Sequence, residues 1–522
     1  MSVVHSNPEG NPTSTQDAGV SSPEQIAALL AQFCAKLRDS VTHAVEQGTS
    51  FDQVERKIWD IVRTIGFQAI ELFVKLQGIG DLGTEIARED AQPLLRSDQP
   101  VTTIVRSIFG HHRFEQFSYS TGQNRKVELY PINARLQLPE NQWSYLLQEF
   151  SQLFCVDQSF NQAAKSLESI WGTKFSVDTL EQTSHRMGQQ ADLFLGHLPT
   201  PKKSDEAEIL VGSADCKGVP LIKEDVAKVA AFETTKKNPG NRRMATVTSV
   251  YSVAPYARTA EDIVAALFRD DPKPNVADSK RPKPKHKHTT AHFPTTFHDG
   301  EAEIPISGIH EGIAWLADQV SNRRCKDQPL VLLMDGQECL WDIAAQHFDA
   351  AQVVPILDII HVSSYVWEAA ALFHDSRSER EAFTRERLLK ILQGQVVSVI
   401  RGLRRMGSLQ QLSGEKKADL ARICGYFSKH QQRMKYDQYI KAGYPIASGV
   451  IEGACGHLVK DRMERSGMRW TLESARSMLN LRAAFQSDYW NLFQEQRINE
   501  LSKTTHPNRE LIKEYIPLKL AC

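Results

Sequence analysis

The sequence predicts an α/β domain that carries an all-α insertion and is preceded by mostly helical regions. Three observations predict it. Four apolar runs, ILVGSA (209–214), MATVTSVYSV (244–253), PLVLLM (329–334) and VVPIL (353–357), alternate with segments of helical periodicity. From Arg377 to about Ile440 the pattern is helical throughout. The stretches from Pro23 to about Leu82 and from Trp143 to about Phe194 are helical as well, with a shorter β-like stretch between them.

Length and composition set the bounds. A chain of 522 residues can bury several cores, so two to four domains are expected. Hydrophobic residues make up 41% and charged residues 24%, ordinary for a soluble globular protein. The formal net charge of −1 argues against a basic packaging protein, although local basic patches can hide in a neutral total. No apolar run approaches the roughly 18 residues of a membrane span. The N-terminal stretch has no basic segment followed by an apolar one, so it does not read as a secretory signal and a cytoplasmic protein is expected. The eight cysteines are scattered without a C-x-x-C pair, which suits reduced thiols and gives no zinc spacing.

Taken in order, residues 1–20 are rich in Ser, Thr, Asn, Gly and Pro and read as a disordered tail. Residues 21–96 form an N-terminal helical region and 97–138 a small β unit with turns at Gly110 and Gly122. His111 and His112 have no cysteine nearby, so no metal is expected there. Residues 139–200 resemble a helix-turn-helix: Ser159 caps the first helix, Gly172 makes the turn, and Ser176 to Met187 form the second. Asp178, Thr179 or Glu181 would stand near its leading end, where acidic residues suit phosphates poorly, so plain packing competes with DNA binding. A Pro/Lys hinge, LPTPKKSDE, then opens the α/β part, residues 205–375 and 441–490, with the helical insertion at 376–440 and a charged tail at 491–522. Between Lys273 and His288 a solvated loop is expected, carrying Lys280, Arg281, Lys283, Lys285 and Lys287, a candidate contact for DNA backbone.

The stretch Tyr444–Trp470, YPIASGVIEGACGHLVKDRMERSGMRW, carries the strongest local signal. As a helix starting near Ser448, it places Glu452 on one face with Gly456, Val459 and Met463. Each glycine costs roughly 1 kcal/mol in a helix interior, so such a helix is usually letting something approach closely, the alternative being a packed helix with a surface Glu. Lys460, Arg462, Arg465 and Arg469 follow and suit a polyanion, as do Arg401, Arg404 and Arg405 of the insertion.

Two apolar strands are expected to end in an aspartate, Asp215 and Asp335, with Gly218 as a turn residue after the first. In an open α/β sheet, ligands gather at the carboxyl ends of strands. Converging carboxylates are costly unless a cation neutralises them, and hard oxygen ligands describe Mg²⁺ or Mn²⁺. With Glu452 added, there is enough for two ions about 3.5–4 Å apart. G-x-x-x-x-G-K-[ST], G-x-S-x-G and G-x-G-x-x-G are all absent, so no nucleotide cofactor and no serine hydrolase are expected.

The strings DxKGVPL at Asp215, LMDGQExLWDIAAQHF at Asp335, ILDIIHVxxYxWEAA at Asp358 and AGYPIASGVIEGACGHLVKDRMERSGMRW at Glu452 resemble the ISKra group of bacterial insertion-sequence transposases. That group is similar to the wider Mutator-like DDE superfamily, and the motifs span roughly residues 205–485. The resemblance implies a ribonuclease-H-like catalytic domain with the insertion between the second Asp and the Glu. It implies Asp215, Asp335 and Glu452 as catalytic and metal-holding triad, with Asp358 and His361 in a [C/D]-x-x-H signature beside the metals. It further implies cleavage of double-stranded DNA at element ends, transfer of the 3′-OH into target DNA, and a homo-oligomer to hold two ends. A non-catalytic DNA-binding relic and a ribonuclease-H-like nuclease are the alternatives. Trp470 and Trp367 are either buried aromatics or stacking platforms for a displaced base. Residues 102–138 lack the cysteine pairs that related proteins often carry, so zinc-dependent end recognition is not expected.

Overall fold

Five strands form the central sheet of the larger unit: β1 (Ile209–Pro220), β2 (Arg242–Val253), β3 (Lys285–His292), β4 (Leu330–Met334) and β5 (Val353–Leu357). Their order is β5-β4-β1-β2-β3. The β1–β2 and β2–β3 pairs are antiparallel, whereas β4 runs parallel to both β1 and β5. The result is a mixed sheet covered by helices on both faces. The computed structural model describes residues 22–88, 92–233, 240–270, 281–299, 302–465 and 467–520. The expected tail at 1–20 and Lys280 lie outside them.

Period-two alternation sorts the sheet residues between two cores. Ile209, Val211, Val331 and Leu333 face one side and pack with the helix α1 (Ile359–Phe373) and the insertion. Leu210, Ala214, Leu330, Leu332 and Met334 face the other and pack with Ile313, Leu316 and Val320 of the Gly308–Arg323 helix. The insertion comprises Arg377–Leu392, Val396–Leu409, α2 (Gly414–His430) and Tyr436–Lys441. Its Phe383, Leu388, Ile391, Val399, Leu403 and Phe427 share one apolar cluster with the sheet, so it is packed on the sheet.

Several elements differ from expectation. β1 does not end at Asp215: it pairs with β2 through Pro220 opposite Arg242, with Gly218 in the strand opposite Met244. The stretch expected as a loop to His288 becomes strand from Lys285, because β2 supplies a full-length partner and His288, Thr289 and Thr290 are buried against it. The second helix of the helix-turn-helix runs on to Gly196, after a Gly172 turn at φ +67°. It continues because Ser184, Met187, Gly188 and Ala191 bury against the Leu472–Gln486 helix, where an added Cβ at Gly188 would lie 2.5 Å from the Ser477 backbone.

The other unit comprises Met1–Ser151, Leu167–Lys174 and Glu495–Cys522. Its long helices are Pro23–Glu46 and Phe51–Lys75. The β structure begins at Glu85 rather than 97, since Glu85–Ile86 and Leu94–Arg96 join Tyr119–Ser120 and Val127–Leu129 in one sheet. Strands of two or three residues leave no periodicity to read. Val101–Ser107 and Gly110–Gln116 form a separate hairpin. His112 is a core histidine there, with Nδ1 2.8 Å from Glu71 Oε1 and Nε2 2.8 Å from Ser107 Oγ. In place of a tail from 491, Trp490–Thr505 is helical.

His288 on β3 gives the fold an acid limit. Neutral imidazole satisfies both its neighbours: Nδ1–H donates to Gln319 Oε1 at 3.0 Å, and Nε2 accepts from the Tyr489 hydroxyl at 2.6 Å. Burial pushes its pKa down to about 4. The unfolded chain binds this proton near 6.5, so stability is complete above 6.5 and falls as the pH drops toward 4. The loss is at most about 3 kcal/mol. Thermal melts from pH 7.5 to 4.5 are expected to show a falling Tm, with a flatter profile in His288→Gln.

Candidate active site

The sheet register assembles the acidic residues. Leu332 faces Gly212 across the β4–β1 pair, and continuing that register brings Asp335 level with Asp215. Met334 faces Leu357 across the β4–β5 pair, and one residue further Asp335 is level with Asp358, whose N–H donates to Met334 O at 2.9 Å. Three aspartates therefore form a row over adjacent parallel strands. By alternation, Asp215 and Asp335 point to the same face as Val211 and Leu333, the face that carries α1 and the insertion.

Asp358 is fully buried and accepts four N–H bonds. Oδ1 accepts from Ile360 N at 3.2 Å and Ser448 N at 2.9 Å; Oδ2 accepts from His361 N at 3.3 Å and His361 Nδ1 at 2.8 Å. It thus caps α1 and fixes the residue that precedes α3 (Gly449–Ala454). Glu452 lies on α3 and accepts from the Ser448 hydroxyl at 3.4 Å. One buried carboxylate ties the end of β5 to the helix that carries the glutamate.

Asp358, His361 and Glu452 bring ligand atoms within 4.8 Å of one another; Asp215 and Asp335 are not part of that group. The five residues are nevertheless joined electrostatically. Burial raises the Asp335 pKa; the Gln337 N–H at 2.9 Å opposes, and the negative charge of Asp215 adds to the rise. Burial likewise raises that of Glu452, followed by the charge of Asp358. His361 is pushed up to about 9, first by its hydrogen bond to Asp358 and then by the charges of Asp358, Asp335 and Asp215. Asp215 accepts from its neighbour Cys216 N at 2.7 Å and from Cys455 Sγ at 3.3 Å.

This is an acidic site short of positive charge. Asp335 and Glu452 are partly buried, each repelled by the charges of Asp215 and Asp358, and lightly hydrogen-bonded, which fits a hard divalent cation. Asp358 fits a ligand role poorly, because N–H donors already occupy its oxygens.

The helix after Glu452 departs from the expected face. Cys455–Lys460 is a π-helical segment, a feature that recurs at functional sites. Its wider turn rotates Val459 and Met463 onto the buried side with Ile451 and Cys455, away from partly exposed Glu452 and Gly456. Added Cβ atoms at Gly449, Gly453 and Gly456 would meet nothing within 4 Å among the described residues, so this side is open to them. A groove of about 770 Å³ runs beside it, lined by Lys283, His286, Lys287, Gly453, Ala454 and His457.

The expected basic contacts divide. Lys460, Arg465 and Arg469 are exposed, as are Arg281, Lys283 and Lys285. Arg462 is not available to DNA: it is fully buried, donates to Cys155 O at 2.9 Å, and lies 4.8 Å from the Trp470 ring and 5.3 Å from Phe160. Burial lowers its pKa to about 10. Trp470 is buried with it, and its backbone bridges Pro220 and Ile222. Trp367 is partly buried against Phe268. Sequence reasoning missed Ser448 and Cys455, whose partners lie 90 and 240 residues away.

No family model and no curated protein matches this chain. Among solved structures it is similar to the Drosophila P element transposase strand transfer complex, at 11% identity and a TM-score of 0.20, over 70% of this chain and 84% of that one. So slight a likeness carries no argument, and the reading below rests on the site. No helix of the described residues is long and apolar enough to cross a membrane.

Arg462 and Arg465 should separate core from surface. Replacing Arg462 by Ala leaves the Cys155 carbonyl unpaired and is expected to cost about 2 kcal/mol. Arg465→Ala should leave the Tm within a degree or so, and of the two it is the change that weakens DNA binding if the exposed basic residues meet DNA. Melting curves with a DNA titration check both.

Proposed function

We propose that this protein is a DDE-type transposase of the kind its motifs resemble, cleaving double-stranded DNA at element ends and joining the freed 3′-OH to target DNA. The observation that carries this reading is the electrostatic convergence of Asp215, Asp335 and Glu452 beside a basic groove, with Asp358 holding the scaffold. The strand order, three antiparallel members followed by two parallel ones, supports a ribonuclease-H-like catalytic domain.

In this reading Asp215, Asp335 and Glu452 hold Mg²⁺ or Mn²⁺, two ions in all. When bound, the ions supply an activated attacking oxygen and neutralise charge on the leaving one. Asp358 orients His361 and, through Ser448, the helix of Glu452. The open glycine side of that helix lets a phosphate backbone come close, and Lys283, Lys287 and Lys460 offset its charge. No covalent protein–DNA intermediate is required, so no nucleophilic side chain is assigned. Acting on two ends calls for a homo-oligomer.

The test is Mg²⁺- or Mn²⁺-dependent cleavage of labelled DNA carrying the ends that flank the gene. Glu452→Gln and Asp335→Asn are expected to bind this DNA as the parent does. Both should cleave it at least about a hundredfold more slowly, roughly 2.7 kcal/mol of barrier. Cleavage surviving in Glu452→Gln removes that residue from the site. Binding without cleavage by the parent favours a DNA-binding relic, and cleavage without strand transfer favours a nuclease.

A further inference from the structure

The insertion closes on the loop that carries Asp335. Tyr426 of α2 packs against Gly336, where an added Cβ would lie 2.3 Å from its Cε2 and 2.5 Å from its hydroxyl. His430 hydrogen-bonds the Gly336 backbone, and Lys429 pairs with Glu338. Arg433 lies 4.2 Å from the ring centre of Trp341, whose Nε1 donates to the Asp335 carbonyl at 2.7 Å. Glycine at 336 is required by this close approach rather than by a turn.

Tyr426 is fixed from the side of α1, stacked on Tyr365 with ring centres 3.9 Å apart and 12° between planes. Yet its hydroxyl is buried and makes no hydrogen bond among the described residues, an unfavourable state for a polar group. A complementary vacancy lies one residue from its contact. Asp335 Oδ1 accepts from Gln337 N, while Oδ2 has no donor among the described residues. Burial, with the charges of Tyr365, Asp335 and Asp358, raises the phenol pKa, so it keeps its proton and remains a donor.

We propose that Tyr426 is a positioning residue for the cation site, its hydroxyl donating to the free carboxylate oxygen of Asp335 when that side chain turns to a bound divalent cation. The orphan hydroxyl belongs to the metal-loaded arrangement. This rests on Asp335 being a metal ligand. Hydrogen bonds that orient ligating side chains are worth about 10–100-fold in metal affinity.

The test is titration of the full chain with Mn²⁺ alone, free ion being read by electron paramagnetic resonance, alongside metal-free melts. Tyr426→Phe is expected to bind Mn²⁺ about tenfold or more weakly, with a metal-free Tm equal to or above the parent's. Lys429→Ala, which severs only an exposed ion pair on the same loop, should stay within about twofold of the parent. Parent-like affinity in Tyr426→Phe overturns the assignment and leaves Asp335 as a ligand. A fall in its metal-free Tm also overturns it, because the hydroxyl would already have a partner. If Asp335→Asn binds Mn²⁺ as the parent does, or the parent binds none, the metal reading of Asp335 fails and this inference with it.

Discussion

The site depends on one buried carboxylate. Asp358 is wholly removed from water, and a carboxylate in that position is tolerable only when donors surround it. Its four N–H partners come from the first turn of α1, from the His361 ring and from Ser448. These bonds offset desolvation, and each also fixes a piece of chain. They set the start of α1, the orientation of His361 and the point at which α3 begins. Glu452 stands one turn beyond that point. The sheet register independently brings Asp335 level with Asp215, so the acidic groups converge through two separate constraints, strand pairing and one capping carboxylate.

What the sequence displays of this is uneven. Apolar runs mark β1, β2, β4 and β5 well, because buried strands need continuous apolar residues. β3 was invisible: KHKHTTAH has no apolar alternation, and its buried members are His288, two threonines satisfied by hydrogen bonds across the sheet, and the small Ala291. The true end of β1 was equally hidden, since a partner strand rather than the local pattern keeps residues 215–220 extended. Asp215, Asp335 and Glu452 could be singled out from spacing and resemblance. How they meet could not, because register is a property of pairs of strands.

Charge misled more than hydrophobicity did. The run Lys460, Arg462, Arg465, Arg469 reads as one basic face, yet Arg462 is a core residue enclosed by Trp470 and Phe160. A π-helical segment just before it changes which positions face inward, and nothing in CGHLVK announces one. The insertion likewise reads as an independent helical block. Its apolar side in fact completes the core over the sheet, and its polar side bears on the Asp335 loop.

The central claim is that Asp215, Asp335 and Glu452 together hold divalent cations. An anomalous difference map from crystals of the full chain soaked in Mn²⁺ tests it most directly. The expected result is density within coordination distance of oxygens from all three, with Asp358 keeping its N–H donors and remaining outside the coordination shell. Density confined to Asp358, His361 and Glu452, or none near any of the five, would contradict it.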